Sequence, residues 1–246
     1  MTLTCENLTL AGRLSGITAQ FQPGQVTAIC GPNGAGKSTL LAALAGLLPT
    51  QGTVTLDGRP LGHLASHQRA QAIGYLPQSG DIAWDVSVET LIGLGRLPWR
   101  GAPGGQAIDA ALATMDLEPV RHRPLSRLSG GERARALVAR VLAGTPRWLL
   151  ADEPLASLDL AHAAALMAAL RAEAARGTGV VVVLHDLAMA MNHADAVLVL
   201  ADGALAAQGP PESALSEAVI ARVWQVFAHW HGTPHARALA LDARTA

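Results

Sequence analysis

Gly31-Pro32-Asn33-Gly34-Ala35-Gly36-Lys37-Ser38 fits the pattern G-x-x-x-x-G-K-[ST]. Before it, Val26 to Cys30 is an apolar-rich run of strand length. After it, leucines at positions 40, 41, 44, 47 and 48 mark one face of a helix over Lys37 to Leu48, which Pro49 stops. A strand, a glycine-rich turn and a helix, in that order, is the context in which this pattern cradles phosphate. The glycines let backbone N–H groups turn inward around an anion, and the helix start adds about half a positive charge from its dipole. Lys37 is placed to reach the β- and γ-phosphates, and Ser38 to offer its hydroxyl to Mg²⁺. Composition sharpens the reading: the chain has seventeen arginines and a single lysine, and that lysine is Lys37.

Outward from this loop, Thr53 to Leu56, Asp57-Gly58 and Arg59 to Leu61 read as a hairpin with a tight Asp-Gly turn, followed by a short strand over Ile73 to Leu76. From Gln78 to Gly144 strand signals disappear. Gln106 to Met115 and Glu132 to Ala143 are the clearer helices there, the second with apolar residues at 134, 137, 138, 141 and 142. Trp148 to Ala151 and Val180 to Leu184 then return as continuous apolar runs, the form of parallel strands covered on both faces, with a helix over Leu160 to Arg176 between them. Ala196 to Leu200, Asp202-Gly203 and Ala204 to Gln208 give a second Asp-Gly hairpin. A helix from Glu212 to about Val226 and a weakly specified tail follow. The pattern predicts an α/β core split in sequence around a helical insertion.

Composition excludes several classes. Of 246 residues half are hydrophobic and 15% charged, enough for a large core and against disorder. Basic and acidic residues nearly cancel, 18 against 19, so the chain is no general polyanion binder and nucleic acid is not an expected partner. The mean hydropathy is +0.28, yet no apolar run approaches the ~18 residues that span a bilayer, so contact with a membrane is expected through a partner. Cys5 and Cys30 have neither metal-ligand nor disulfide spacing and read as small buried thiols. Met1 to Glu6 has neither a basic nor an apolar leader region, which predicts a cytoplasmic protein.

Two further stretches carry chemistry. Arg147 to Glu153 is an apolar strand ending in two acids; it delivers Asp152 to the phosphate side of a sheet, to hold Mg²⁺ through its water shell, and Glu153 to act as general base on an attacking water. Leu128-Ser129-Gly130-Gly131-Glu132 opens a helix. Ser129 and Glu132 have capping-box spacing, and the two glycines between them leave a bare helix start whose N–H groups suit a phosphate.

A phosphate-binding loop, then LSGGE, then an apolar strand ending in Asp-Glu resembles the ATP-binding cassette (ABC) family of nucleotide-binding subunits, from about residue 3 to 210. The resemblance implies a P-loop NTPase (RecA-like) α/β core with an antiparallel β subdomain and an inserted α-helical subdomain. Residues 1–78 and 146–210 would form the nucleotide-binding core, 79–145 the helical subdomain and 211–246 a C-terminal helix and tail, all one domain. ATP and Mg²⁺ are the implied ligands. Gly31, Pro32, Asn33, Gly34, Ala35, Gly36, Lys37, Ser38 and Thr39 would hold the nucleotide, and Ser129, Gly130 and Gly131 would reach the γ-phosphate held by a second copy. Gln78, in Tyr75-Leu76-Pro77-Gln78, matches the family's glutamine that touches Mg²⁺ and the attacking water, so Ser38, Gln78 and Asp152 form the metal set. Asp159, in Ser157-Leu158-Asp159, matches a loop at the dimer interface, and His185 the histidine that contacts the γ-phosphate, giving Glu153, His185 and Gln78 as the catalytic set. One departure concerns the base: residues 8–16 contain no aromatic to stack on adenine, and Arg13 is the candidate in its place.

With one such loop and one LSGGE per chain, two chains must meet head to tail around two composite sites, with ATP bridging the copies. Trp84 to Glu89 and Leu94-Gly95-Arg96-Leu97-Pro98 are similar to importer ATPases for iron–siderophore, haem or cobalamin. That likeness implies permease subunits docked on an apolar groove near Trp84, a periplasmic or lipid-anchored substrate-binding protein beyond them, and a peripheral position on the cytoplasmic face of the inner membrane. Other ABC transporters, or a DNA-repair ATPase of the same family, are the alternatives; the short insertion without heptads or a basic run disfavours the latter. A free-standing small-molecule kinase would leave LSGGE unexplained.

Overall fold

Val26–Cys30, Trp148–Asp152 and Gly179–Val183 are buried along their whole length, because helices and a second sheet cover both faces of the sheet they form. In the computed structural model residues 2–78, 85–99, 104–156 and 158–242 are described, and everything below concerns those residues.

The chain opens with an antiparallel pair, β1 (Leu3–Leu10) and β2 (Leu14–Phe21), then β3 (Val26–Cys30) and α1 (Lys37–Leu44). This helix is shorter than its leucine pattern predicts. Gly46 takes a left-handed conformation (φ 68), and the N–H groups of Gly46 and Leu47 turn back to the carbonyls of Ala43 and Ala42, so the helix closes before Leu47 and Leu48, which are left exposed. The first Asp-Gly hairpin forms as expected, between β4 (Gln51–Leu56) and β5 (Arg59–Pro60), with Asp57 and Gly58 both at positive φ. Next come α2 (Ser66–Ala72), β6 (Ile73–Leu76), α3 (Val88–Gly93), a 3₁₀ stretch over Leu94–Trp99, α4 (Gly105–Thr114) and α5 (Gly130–Ala143). The rest of the core is β7 (Trp148–Asp152), α6 (Leu160–Ala175), β8 (Gly179–Val183), α7 (Leu187–His193), β9 (Ala196–Ala201) and β10 (Ala204–Gly209). The C-terminal part holds α8 (Pro211–Ala214), α9 (Glu217–Trp224), β11 (Ala228–Thr233) and β12 (Ala236–Leu241).

The strands form three sheets: β2-β1-β4-β5, all antiparallel; β10-β9-β3-β8-β7-β6, parallel apart from β10; and the pair β11-β12. The period-2 geometry of strands divides the core in two. Val180 and Val182 face the α3–α5 side with Leu149 and Ala151, while Val181 and Val183 face the four-stranded sheet and α1 with Leu150 and Trp148. Cys5 and Cys30 fall on opposite sides of this division, and burial pushes their thiols up to about 11 and about 12, as expected of inert core residues.

Between β6 and β7 the described residues contain helices and one isolated β-bridge, Ser87 with Pro124, but no extended strand, in line with the loss of strand signals in the sequence. Their surface is latched by carboxylates: Glu89 and Asp109 both pair with Arg121, and Asp85 accepts hydrogen bonds from the N–H and hydroxyl of Ser126. Arg121 holds Glu89 below the usual carboxylate range, and the Ser126 N–H does the same for Asp85. A carboxyl whose folded pKa is depressed contributes stability above its unfolded pKa and loses it as pH falls through the folded one. The melting temperature is therefore expected to drop as pH is taken below about 4, and Arg121→Ala to flatten that dependence; a parallel acid profile in the variant would refute the latch.

The C-terminal part differs from expectation. The single helix predicted from Glu212 to Val226 is broken at Leu215, whose backbone (φ −110, ψ 30) leaves the helical region so that its side chain can be fully buried. The carbonyl freed there is capped by the indole N–H of Trp230 at 2.8 Å. The tail is an ordered hairpin rather than weakly specified, and Asn192 on α7 fixes it by donating to the Arg237 carbonyl and accepting the Arg237 N–H, both at 2.8 Å.

Candidate functional site

Four of the parallel strands end at one edge of the sheet, and each delivers a residue named by the sequence. The glycine-rich loop follows β3, Gln78 follows β6, Asp152 and Glu153 close β7, and His185 follows β8. A cavity of about 570 Å³ lies there, lined by the Asn33–Thr39 loop and by Arg13, Gln78, Glu153 and His185.

The loop's shape depends on close approaches that only glycine permits. A β-carbon on Gly31 would stand 2.2 Å from the Leu200 carbonyl oxygen on β9, and one on Gly36 2.7 Å from the Arg13 carbonyl oxygen. Gly36, at φ 94, is also the N-cap of α1, so the helix start points into the cavity. Gly31 and Pro32 are not among the lining residues; their carbonyls accept from the Lys37 ammonium at 2.8 and 2.9 Å, which holds that buried cation at the loop. Desolvation lowers the Lys37 pKa, against the opposing pull of Glu153, Cys30 and Asp152. Such a partly desolvated ammonium gains when a polyanion arrives.

Ser38 donates to Asp152 at 3.1 Å. Asp152 is buried, and desolvation raises its pKa, with the neighbouring Glu153 charge adding to the effect. A hydroxyl and a buried carboxylate with too little positive charge beside them are hard oxygen donors that fit Mg²⁺. Glu153 takes a left-handed backbone conformation (φ 50), a strained choice for a residue with a β-carbon. Its two carboxylate oxygens are both engaged: Gln78 donates to one at 2.7 Å and the His185 Nε2 lies 2.5 Å from the other. Gln78 and His185 thus flank the Glu153 carboxylate along the cavity wall, the first by a hydrogen bond and the second at ion-pair distance.

The other predicted residues are not brought to this cavity. Ser129, Gly130, Gly131 and Asp159 are absent from its lining. The capping box at LSGGE is present: Ser129 Oγ accepts from the Glu132 N–H at 3.2 Å, and Glu132 accepts from the Ser129 N–H at 2.8 Å while also receiving Arg123 at 3.0 Å. The two glycines differ: space around Gly130 is open, whereas Gly131 is buried beneath the His162 ring. Asp159 caps α6 by accepting the His162 N–H at 2.9 Å. The predicted residues therefore form two groups, one around Lys37 and Glu153 and one around Ser129 and Asp159.

Trp84 and Ser157 lie outside the described residues, so the groove expected near Trp84 does as well. The Leu94–Trp99 stretch has no fully buried residue, but two of its side chains reach back to the end of α5. Arg96 donates to the Ala143 carbonyl at 3.0 Å and Trp99 to that of Gly144 at 2.8 Å, which caps the end of α5, while Leu97 is 70% exposed. His162 is the residue that the sequence reading overlooked; its signal was the N-cap-to-N3 spacing from Asp159.

The family model for ABC transporters matches residues 14–156. Hemin import ATP-binding protein HmuV of Rhodococcus jostii is 44% identical over 224 residues, covering 88% of this chain and 77% of that protein. A putative metal-chelate type ABC transporter in an inward-facing conformation superposes with a TM-score of 0.84 at 24% identity, over 99% of this chain and 98% of that one, a likeness of fold. A bacterial ABC transporter cassette solved as a dimer gives a TM-score of 0.74 at 26% identity, over 85% and 98%.

Proposed function

The chain belongs to the ABC transporter family, and from that premise we propose that it is the ATP-hydrolysing subunit of an importer of hemin. It is an ATPase of that family; the cargo, the residue roles and the assembly are the proposal. The observation that carries it is the Gln78–Glu153–His185 cluster on the wall of the cavity that the Lys37 loop lines, with Ser129 and Gly130 standing outside that cavity.

ATP enters with its phosphates against the N–H groups of the Gly34–Thr39 segment and the Lys37 ammonium, and Arg13 at the rim lies over the base. Ser38 and Asp152, with Gln78, would hold Mg²⁺, which when bound neutralises charge on the phosphate oxygens. Glu153 takes the proton of the attacking water, Gln78 orients that water, and His185 donates to the γ-phosphate as charge develops. For this to happen, Gln78 and His185 must release the carboxylate oxygens they hold, and the arriving γ-phosphate competes for both donors.

Because Ser129 and Gly130 stand outside the lining of this cavity, we assign them to a second copy's γ-phosphate, which makes a head-to-tail dimer the active unit. The HmuV relative and the dimeric cassette support this reading. No helix among the described residues is long and apolar enough to cross a membrane. The proposal accordingly places the subunit on the cytoplasmic face of the inner membrane, bound to permease subunits that receive cargo from a substrate-binding protein. It also divides the chain into a core (1–78 and 146–210), a helical part that moves against it (79–145) and a C-terminal segment (211–246).

Uptake of radiolabelled hemin, a ferric siderophore and cobalamin in a strain lacking this gene tests the cargo. Loss of hemin uptake alone, restored by the wild-type gene, is the expected result. Unchanged hemin uptake with loss of either other substrate would overturn the assignment.

A further inference from the structure

Asp159 opens α6 as an N-cap, and an N-cap needs only one carboxylate oxygen on the N–H three residues on. Here the requirement is exceeded. His162 supplies that N–H at 2.9 Å and, in addition, its ring Nδ1 lies 2.8 Å from both oxygens of the same carboxylate. The Asp159 side chain is 67% exposed and the His162 side chain 39%. An exposed carboxylate is ordinarily free to change rotamer, and a forked donor on both oxygens removes that freedom.

The same ring has a second contact. A β-carbon on Gly131 would stand 2.6 Å from His162 Cδ2 and 2.8 Å from Cγ. Gly131 is not at positive φ, so its lack of a side chain answers the closeness of this ring and not a backbone demand. Gly130, beside it, has open space around its α-carbon. One imidazole thus braces the start of α5, behind Ser129 and Gly130, and the loop that presents Asp159.

We propose that His162 is a positioning residue that sets the relative placement of the Ser129–Gly131 helix start and the Asp159 carboxylate, so that both meet the nucleotide held by a second copy. This rests on the head-to-tail reading above. Preorganising the two loops before the copies meet lowers the ordering cost of dimer formation, so the effect falls on ATP-driven association and not on the chemistry at Glu153.

The test uses the full chain in a Glu153→Gln background, where ATP-bound dimers persist, with dimer fraction read by size-exclusion chromatography against ATP concentration. Adding His162→Ala is expected to raise the ATP needed for half-dimerisation by about tenfold, the value of a lost charge-assisted contact. His162→Asn keeps a donor to Asp159, His162→Phe keeps a ring over Gly131, and each is expected to fall between. In the otherwise wild-type chain, His162→Ala should raise KM for ATP while leaving kcat and melting temperature near the parent values. If Glu153→Gln alone gives no ATP-dependent dimer, the head-to-tail reading fails. If it dimerises and His162→Ala leaves the midpoint within twofold, the positioning role fails, as it also does if kcat and melting temperature fall together with no change in KM.

Discussion

Glu153→Gln is expected to reduce ATP turnover by two to four orders of magnitude while leaving ATP binding intact, an effect on the scale of ~10²–10⁴ for a lost general base. The substitution is isosteric, so the carboxamide still fits between Gln78 and His185 at the end of β7, and the left-handed backbone at this position is not disturbed. What changes is the charge. A carboxylate can take a proton from water, and it repels the γ-phosphate that has to approach it; a carboxamide does neither. The variant should therefore bind ATP at least as tightly as the parent and accumulate as an ATP-bound dimer, since the γ-phosphate that joins two copies is never removed. Size-exclusion chromatography with and without ATP, beside a phosphate-release assay, checks both halves. Turnover within tenfold of the parent would remove Glu153 from the role of base, and an elution position indifferent to ATP would remove the composite site.

Much of this architecture was legible because the strongest local signals coincide with the strand ends. The run Trp148 to Ala151 can only be a strand covered on both faces, and a strand of that kind in a parallel sheet ends where Gly31–Ser38 also lies. The two Asp-Gly turns fixed their hairpins for a similarly local reason, since both residues accept positive φ. Fold class, helical insertion and element order follow from such rules.

What escaped the sequence is set by one local competition at a helix end and by contacts between distant segments. Lys37 to Leu48 has helical periodicity throughout, yet Gly46 ends the helix by satisfying carbonyls at its C-terminus, a competition that periodicity does not register. The break at Leu215 is stable because Trp230, fifteen residues on, supplies a donor for the freed carbonyl, and the β11-β12 hairpin is held by Asn192 from α7. The second glycine of LSGGE read as one more free N–H; that it also makes room for the His162 ring depends on how α5 and α6 meet. All but the first of these are tertiary overrides of a local preference.

Lys37→Ala is expected to abolish turnover, with a loss of at least ~10²-fold, on the scale of removing one preorganised donor from a developing oxyanion. The surroundings of this residue explain why no neighbour replaces it. The chain has no other lysine. Arg13, which lines the same cavity, enters from the β1–β2 turn, whereas the Lys37 ammonium is placed by the first turn of α1 and the carbonyls of Gly31 and Pro32. An arginine at 37 would have to fit a planar fork where a compact ammonium now donates to two carbonyls, so Lys37→Arg is expected to restore little. The fold itself should survive. Removing a cation whose pKa is already depressed by desolvation relieves part of a burial cost, which offsets the loss of its two hydrogen bonds, so the melting temperature without nucleotide should move little. ATP should then raise that melting temperature in the parent and not in the variant, because only a state that binds ligand is stabilised by it. A Lys37→Ala protein that retains turnover within tenfold of the parent would break the assignment of the phosphate site. One that loses turnover together with its folded structure would show that Lys37 holds the loop together and is not there chiefly to meet phosphate.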